Sequence, residues 1–511
     1  MTVDASEIET GEPETAPPVV ESPSHLLALA KQTIVYGLSG VMLQAVGVVT
    51  LPVFARAFTR DEYGVLEIGL VVSAFVLTIV DLGLASAAQR SYYDYPQADS
   101  DARKAVVFTA LSATTAVAIL AASILAAFSE PLAAWLYGSR DERPFLLAVA
   151  LAVPLVVLAN FLREVMRLRF RAWSYVVAST LAAVVSTVVS VTGVVALDWG
   201  ISAIFVGVIA GSTLAAVYGI AVVHRDVGRR FSTKELRAML FYGVPLVPAA
   251  LSLWGLALLD RVMLGKLADL TEVGEYAVAN RVSSLLMLAV TAFALAFGPF
   301  IFSIYSEDRE KEKIVRAKAL TYLTIVLLAG GVALTLFARE AIDVVAPRFD
   351  RAYEAVGPLT LGVVAFGISS VVLAGISFAR RTVYVAGIAA AAVLVNAVLN
   401  LILIPPFGMI GAAVAATAGY TTLAVVQYFV AQRLYPTPYE LGKIVRGTAI
   451  AVALGSIGLL TLEPLALAFA VKALAFLAFL PALRIAGVVE AADVVKVREF
   501  LAGRPPLGAE L

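Results

Sequence analysis

Three charged residues stand where hydrocarbon should be. Asp260 and Arg261 are adjacent near the end of an apolar run over residues 241–264, and Arg281 comes about two turns into the next run, residues 273–304. A charge at such depth costs about 3 kcal/mol or more unless an opposite charge neutralises it or it faces a wet cavity. Residues kept there carry function, or they neutralise neighbours and brace the helices. Asp81, in the run 65–87, is a carboxylate about two turns before Arg90. It reads either as a coupling-cation site for H+ or Na+ or as a structural hydrogen-bond acceptor. Arg90, beyond the end of that run, has the long stem of a residue that snorkels to the interface. Asn160, Asn396, Asn400 and Gln427 lie inside other runs, where amides bond neighbouring helices or line a polar cavity. Lys472 sits in the middle of the last run, and its neighbours suggest no role.

The elements that position these residues are membrane helices. Of 511 residues, 60% are hydrophobic and 15% are charged, with mean hydropathy +0.90; a soluble domain carries about 25% charged residues. About fourteen apolar runs between residues 33 and 485 approach the ~20 residues that span a bilayer as helix. A β-barrel would alternate apolar and polar residues, so the chain reads as an all-α polytopic membrane protein. It has no cysteine and only two histidines, His25 and His224, both outside the runs. Neither a disulfide nor a buried metal centre is expected. No glycine loop ending in Lys-Ser/Thr is present, and no loop is long enough to fold as a catalytic domain. The chain is not expected to be an enzyme or to bind nucleic acid.

Charge orients the helices. Loops after even-numbered runs, together with the termini, hold 27 Lys and Arg; the opposite loops hold 8, and 3 lie inside runs. Basic residues stay cytoplasmic, so both termini are expected inside. Residues 1–24, rich in Glu and Pro, read as a disordered acidic tail.

The chain also repeats itself. Glu62-Tyr63-Gly64 matches Glu272-Val273-Gly274, Tyr36-Gly37 matches Tyr242-Gly243, Arg171 and Tyr175 match Arg380 and Tyr384, and Gly200 and Gly211 match Gly408 and Gly419. The offsets stay close to 208 residues. Six runs per repeat give two parallel lobes, 25–230 and 231–434, related by a pseudo-two-fold axis along the membrane normal. Accessory helices follow over 435–486, then a tail over 487–511. Transporters of this kind bind substrate between the halves near the midplane.

At residues 241–281 the residues themselves carry a resemblance. The run Y-G-V-P-L-V-P-A-A-L-S-L-W, then L-D-R-V-M-L and E-V-G-E-Y-A-V-A-N-R, closely resembles the central segment of bacterial polysaccharide (O-antigen-type) flippases, members of the multidrug/oligosaccharidyl-lipid/polysaccharide exporter superfamily. A-R-A-F-T-R-D-E-Y-G-V-L-E from Ala55, D-L-G-L-A-S-A-A-Q-R from Asp81 and P-F-G-M-I-G-A-A-V-A-A from Pro406 extend it over residues 24–434. The resemblance implies a V-shaped cavity between two six-helix lobes in a bacterial plasma membrane. It implies translocation of a polyprenyl-pyrophosphate-linked oligosaccharide, with the last two helices helping to hold the lipid tail.

On that resemblance, Arg261 and Arg281, at similar depth, could clamp the pyrophosphate through their bidentate forks, and Arg90 could meet it at the inner mouth. Asp81 and Asp260 are coupling or structural carboxylates; Asn160, Asn396 and Asn400 are candidates for a polar cavity wall. Membrane lipids, a polysaccharide polymerase and chain-length machinery are the expected partners. Two other readings stay open: a cation-coupled multidrug or small-molecule antiporter of the same superfamily, and a membrane polymerase or ligase.

Overall fold

A computed structural model describes residues 46–489, except 48, 97, 98, 380, 382, 461 and 462. The acidic tail over 1–24, the Tyr36-Gly37 repeat match and nearly all of the C-terminal tail therefore lie outside the described residues. Residues 49–57 are helical. The first lobe continues with α1 (Arg60–Asp81), α2 (Leu84–Tyr93), α3 (Ser100–Ala127), α4 (Ser129–Tyr137), α5 (Arg143–Leu168), α6 (Ala172–Val195) and α7 (Ser202–Val223). The second lobe comprises α8 (Thr233–Gly243), α9 (Val247–Leu267), α10 (Leu270–Ser283), α11 (Leu285–Glu307), α12 (Arg309–Leu336), α13 (Ala338–Val345), α14 (Tyr353–Phe378) and α15 (Val383–Leu434). The accessory helices are α16 (Leu441–Gly455) and α17 (Leu465–Ile485). No strand occurs among the described residues.

Twelve helices among the described residues are long and apolar enough to cross a membrane. One of them, α15, is two spans joined at Gly408, whose φ of 52° breaks the helix. The first predicted run, residues 33–55, falls mostly outside the described residues. The chain is thus the all-α polytopic protein its composition indicates.

Three predicted runs are each broken in two, and the local chemistry explains each break. Run 2 ends α1 at Leu82 and Gly83, with φ of 45° and 66°, and the Asp81 carboxylate accepts the backbone N–H groups of Gly83 and Ala85. Run 7 is interrupted by a 3-10 turn at Val244–Leu246. There Pro245 lacks a donor and Pro248 crowds the preceding turn. Run 8 breaks at Ser283 and Ser284, whose hydroxyls bond Ala279 O and Arg281 O at 2.9 and 2.7 Å and so compete with the helix ladder. The first two breaks face each other: a Cβ on Gly83 would meet the Gly243 backbone at 2.5–2.9 Å. The arm α8, which the repeat assigns to the second lobe, packs on α2 and α3 of the first. It is tied there by Tyr95 OH to Glu235 at 2.7 Å and by Ser232 N–H to Thr109 Oγ1 at 3.0 Å.

The apolar core shows how the lobes meet. One cluster joins both lobes at the face poor in basic loops, running from Leu51, Val65 and Ile68 to Val273, Ala277 and Met409. Towards the basic face it gives way to two separate clusters. One is built on Leu84, Phe161 and Met166 in the first lobe, the other on Leu320 and Ile376 in the second with Phe479 of accessory α17. The lobes are therefore fused along a seam at one face and parted at the other.

The repeat builds that seam. Thr59 caps α1 in a capping box with Glu62, and Asp269 caps α10 by accepting Glu272 N–H at 2.8 Å. Gly64 then lies against the backbone of Leu270, while Gly274 lies against that of Arg60. A Cβ at either glycine would collide with a carbonyl oxygen. The Thr271 hydroxyl bonds the Asp61 carboxylate across the same crossing.

Because the chain lacks cysteine, Asp61→Cys with Thr271→Cys should form an inter-lobe disulfide in membranes. Adding Gly64→Val or Gly274→Val should cost about 1–3 kcal/mol of overpacking and cut the cross-link yield severalfold. An unchanged yield on gels would show that the glycine crossing does not set seam closure.

Candidate functional site

Two arginines of the second lobe converge on one carboxylate of the first. Glu67, two turns into α1 and 8% exposed at its side chain, accepts Arg281 Nη2 at 3.2 Å and faces Arg261 Nε at 3.5 Å. Arg261 is also held by its own helix: Nη1 lies 2.8 Å from Ala257 O and 3.3 Å from Asp260 Oδ1. Its guanidinium stands 5.6 Å from the centre of the Tyr276 ring, and the Tyr276 hydroxyl donates to Asp260 Oδ2. The four ionised groups sum to zero, as a low-dielectric site requires, since an unpaired charge there costs several kcal/mol.

Helix geometry explains the convergence. Glu67 lies seven residues from the outer end of α1 and Arg261 six from that of α9. At ~1.5 Å per residue both sit roughly 10 Å below the seam face. Arg281 starts deeper, eleven residues into α10, and extends upward to reach Glu67. The three partners differ in access. Asp260 and Arg261 are 3% and 4% exposed as residues, whereas the Arg281 side chain is 32% exposed. Arg281 is thus the member of the cluster that another anion can reach. Its Nη1 occupies the space a Cβ on Gly47 would take, at 2.9 Å.

The other sequence-predicted residues fall elsewhere. Arg90 is exposed and stacks 4.9 Å from the Tyr242 ring centre, 23 positions beyond Glu67 towards the basic face. Asp81 and Asn160 share a cavity of about 240 Å³ inside the first lobe with Arg163, Glu164 and Tyr175. Asn160 accepts a hydrogen bond from Arg163, and Glu164 pairs with Arg167 at 2.5 Å. Asn396 and Asn400, expected on a cavity wall, are instead completely buried on α15, bonded to each other at 3.2 Å. They pack where Gly419 lets the chain approach Leu256 of α9. Lys472 pairs with Glu340 of α13 at 2.5 Å. Among the described residues no group of three or more His, Cys, Asp or Glu could hold a metal ion.

Glu67 is the residue that sequence reasoning missed. It lies inside the predicted run 65–87 and within the quoted A-R-A-F-T-R-D-E-Y-G-V-L-E motif. A count of the acidic residues within the runs, alongside the basic ones, would have found it.

Residues 53–348, which include every member of this cluster, match the family model described as polysaccharide biosynthesis protein. The chain belongs to that family. It is 26% identical over 290 residues to the succinoglycan biosynthesis transport protein ExoT of Rhizobium meliloti, covering 55% of each chain. It is 27% identical over 271 residues to the probable flippase AglR of Haloferax volcanii, covering 50% of this chain and 56% of that one. The chain spans about half the length of these curated relatives. Among solved structures it resembles the lipid II flippase MurJ in an inward closed conformation, with TM-score 0.69 and 14% identity over 87% of this chain and 98% of that one. An inward-facing multidrug resistance MATE family transporter of the MOP superfamily gives TM-score 0.66 and 14% identity over 78% and 97%. These two likenesses establish the fold. These two relatives and two solved structures are, by their names, transporters and flippases.

Charge balance makes the cluster testable. Glu67→Leu leaves two guanidiniums against one carboxylate and should cost about 3–5 kcal/mol, lowering the thermal unfolding midpoint in detergent. Glu67→Leu with Arg281→Leu leaves the neutral Asp260–Arg261 pair and should unfold at a higher temperature than Glu67→Leu alone. A double variant as unstable as the sum of the singles would mean that the two residues do not neutralise each other.

Proposed function

We propose that this chain is a flippase that carries a polyprenyl-pyrophosphate-linked oligosaccharide across a bacterial plasma membrane for surface polysaccharide synthesis. The observation that carries this reading is Arg281, a bidentate cation left one-third exposed at the lobe-to-lobe seam, inside a family of polysaccharide biosynthesis proteins. Its present partner, Glu67, leaves part of the guanidinium uncovered, so a pyrophosphate oxygen can take the remaining donors. Arg261, held by Asp260, Ala257 and Tyr276, stays beside Glu67 when Arg281 turns to phosphate. The seam then opens and the parted face closes, which is alternating access between two parallel lobes.

The family match and the names of the relatives favour a lipid-linked saccharide over a drug-like antiport substrate. A crevice of about 490 Å³ also suits an isoprenoid tail. It runs between α12, α14 and α16 and is lined by Leu328, Val332, Leu361, Val364, Ile410 and Val452. Asp81 and Glu164, in the cavity of the first lobe, are the carboxylates we assign to a coupling H+ or Na+. On the charge asymmetry, the basic face is cytoplasmic, with both termini, and the seam face is external. Arg90 then stands at the inner mouth, where the lipid headgroup arrives. A polymerase and chain-length machinery would take the delivered unit outside.

Arg281→Ala should reduce surface-polysaccharide export in a flippase-null strain by at least about tenfold, since a charged hydrogen bond contributes about 1.5–3 kcal/mol. Membrane abundance on immunoblots should fall less than for Glu67→Leu, because Arg261 stays beside Glu67 and the lost Arg281 side chain is already one-third exposed. Arg281→Lys keeps the charge but not the fork and should fall between. Export at the wild-type level by Arg281→Ala would remove Arg281 from the site. The orientation is checked separately: a reporter enzyme active only outside the cell should be silent after Glu310 or Leu511 and active after Arg348.

A further inference from the structure

Glu275 is a carboxylate that the flippase reading does not use. It lies on α10 directly after Gly274, where α10 crosses α1, and its side chain is 1% exposed. Among the described residues its ion-pair contact is Arg60 Nη1 of the opposite lobe, 3.0 Å from Oε1. Neither carboxylate oxygen has a partner of good hydrogen-bond geometry among the described residues, although the backbone N–H of Ala352 acts on the carboxylate.

The surroundings carry too few cations for the carboxylates present. Arg60 is shared: it also pairs with Asp350 at 2.7 Å, donates to the Arg348 carbonyl and is 35% exposed at its side chain. Arg351 faces Glu272 at 2.6 Å and Glu354 at 3.8 Å. The Arg348 guanidinium is turned to the backbone carbonyls of Ala57 and Phe58, and Asp61, on the α1 side, is bonded by Thr271. Four carboxylates, on Glu275, Asp350, Glu272 and Glu354, thus face the two guanidiniums of Arg60 and Arg351.

Burial disfavours the ionised carboxylate most, and the neighbouring Asp350 adds to it; the shared Arg60 and, less strongly, Arg351 oppose them. The cover of α1 and the contact with Arg60 exist only while the seam is closed, whereas Asp350, Glu272 and Glu354 lie on the same lobe as Glu275 and stay with it. Once the lobes part, Glu275 meets water, and the loss of burial favours its ionised form.

We propose that Glu275 is a proton-binding site of the seam, taking up a proton from the external side as the lobes close there and releasing it to that side as they open. The sign follows from linkage: the closed seam binds the proton more tightly, so a falling external pH favours closure. The site lies on the face opposite the Asp81 cavity. The proposal rests on the two-state reading of the seam given above, but its test needs no substrate.

The measurement is an electron–electron spin distance between labels on Asp141→Cys, in the exposed loop before α5, and Ala341→Cys, on the exposed face of α13. The full chain, cysteine-free by nature, is placed in lipid nanodiscs over a pH series. The population at short distance should grow as the pH falls. Glu275→Gln, permanently neutral, should hold the short distance at every pH. Arg60→Gln keeps Glu275 but removes its ion-pair partner from the opposite lobe, so the midpoint should rise by about 1 pH unit or more. A distance distribution that ignores pH would overturn the proposal. So would an unaltered pH response in Glu275→Gln, or, should that variant fail to fold, a midpoint that stays or falls in Arg60→Gln. Each of these outcomes leaves the export test of Arg281 untouched.

Discussion

A guanidinium in hydrocarbon must have a carboxylate, and here the carboxylate belongs to the other lobe. Glu67 of α1 serves both Arg261 and Arg281 of the second lobe. Closing the seam therefore sets Glu67 between the two guanidiniums and, with Asp260, balances the charge of the cluster; opening it exposes a pairing problem that water or a ligand anion must solve. A latch of charges differs in kind from the apolar core beside it. Apolar surfaces separate at a cost that rises smoothly with area, whereas an ion pair at low dielectric needs a replacement partner before it lets go. Under the proposed function, that requirement would tie seam opening to the arrival of an anionic cargo.

The geometry that lets the latch form comes from glycine. Gly64 and Gly274 bring α1 and α10 into backbone contact, close enough for side chains on one helix to be solvated by the other. The contact is reciprocal about the pseudo-two-fold axis, so one repeat unit supplies both halves of the crossing. Facing breaks at Leu82–Gly83 and Val244–Leu246 sit between the fused face and the parted one. Residues held at positive φ and proline-interrupted turns are where helices absorb a change of direction. The two breaks touch through Gly83 and Gly243, so bending one helix there is felt by the other.

The accessory helices are fastened at both faces by buried cations. Near the basic face, Arg316 is completely buried; it pairs with Glu312 at 2.7 Å and reaches Thr437 and Tyr439 at 2.5 and 3.0 Å in the connection to α16. At the seam face, Lys472 of α17 pairs with Glu340 of α13. These pairs hold α16 and α17 against the second lobe, so the crevice beside α16 moves with that lobe.

Hydropathy and charge along the chain were enough to establish a polytopic helical protein, the approximate place of its spans and the repeat whose glycines build the seam. Each of these is a property of a residue and its near neighbours, set by the cost of hydrogen-bonding and charged groups in lipid. The unusual residues were legible in the same way: Asp260, Arg261 and Arg281 stand out because each is a charge in an apolar run. What they pair with was not legible. Arg281 meets Glu67 across 214 positions, Lys472 meets Glu340 across 132, and Asn396 and Asn400 turn into the packed interior. Arg261 and Arg281 look alike in sequence, yet one is walled in by Asp260 and Tyr276 and the other is left partly open. Such outcomes depend on which helix faces which and at what rotation. A 3.6-residue period constrains that only to a face, and only the packed structure decides it.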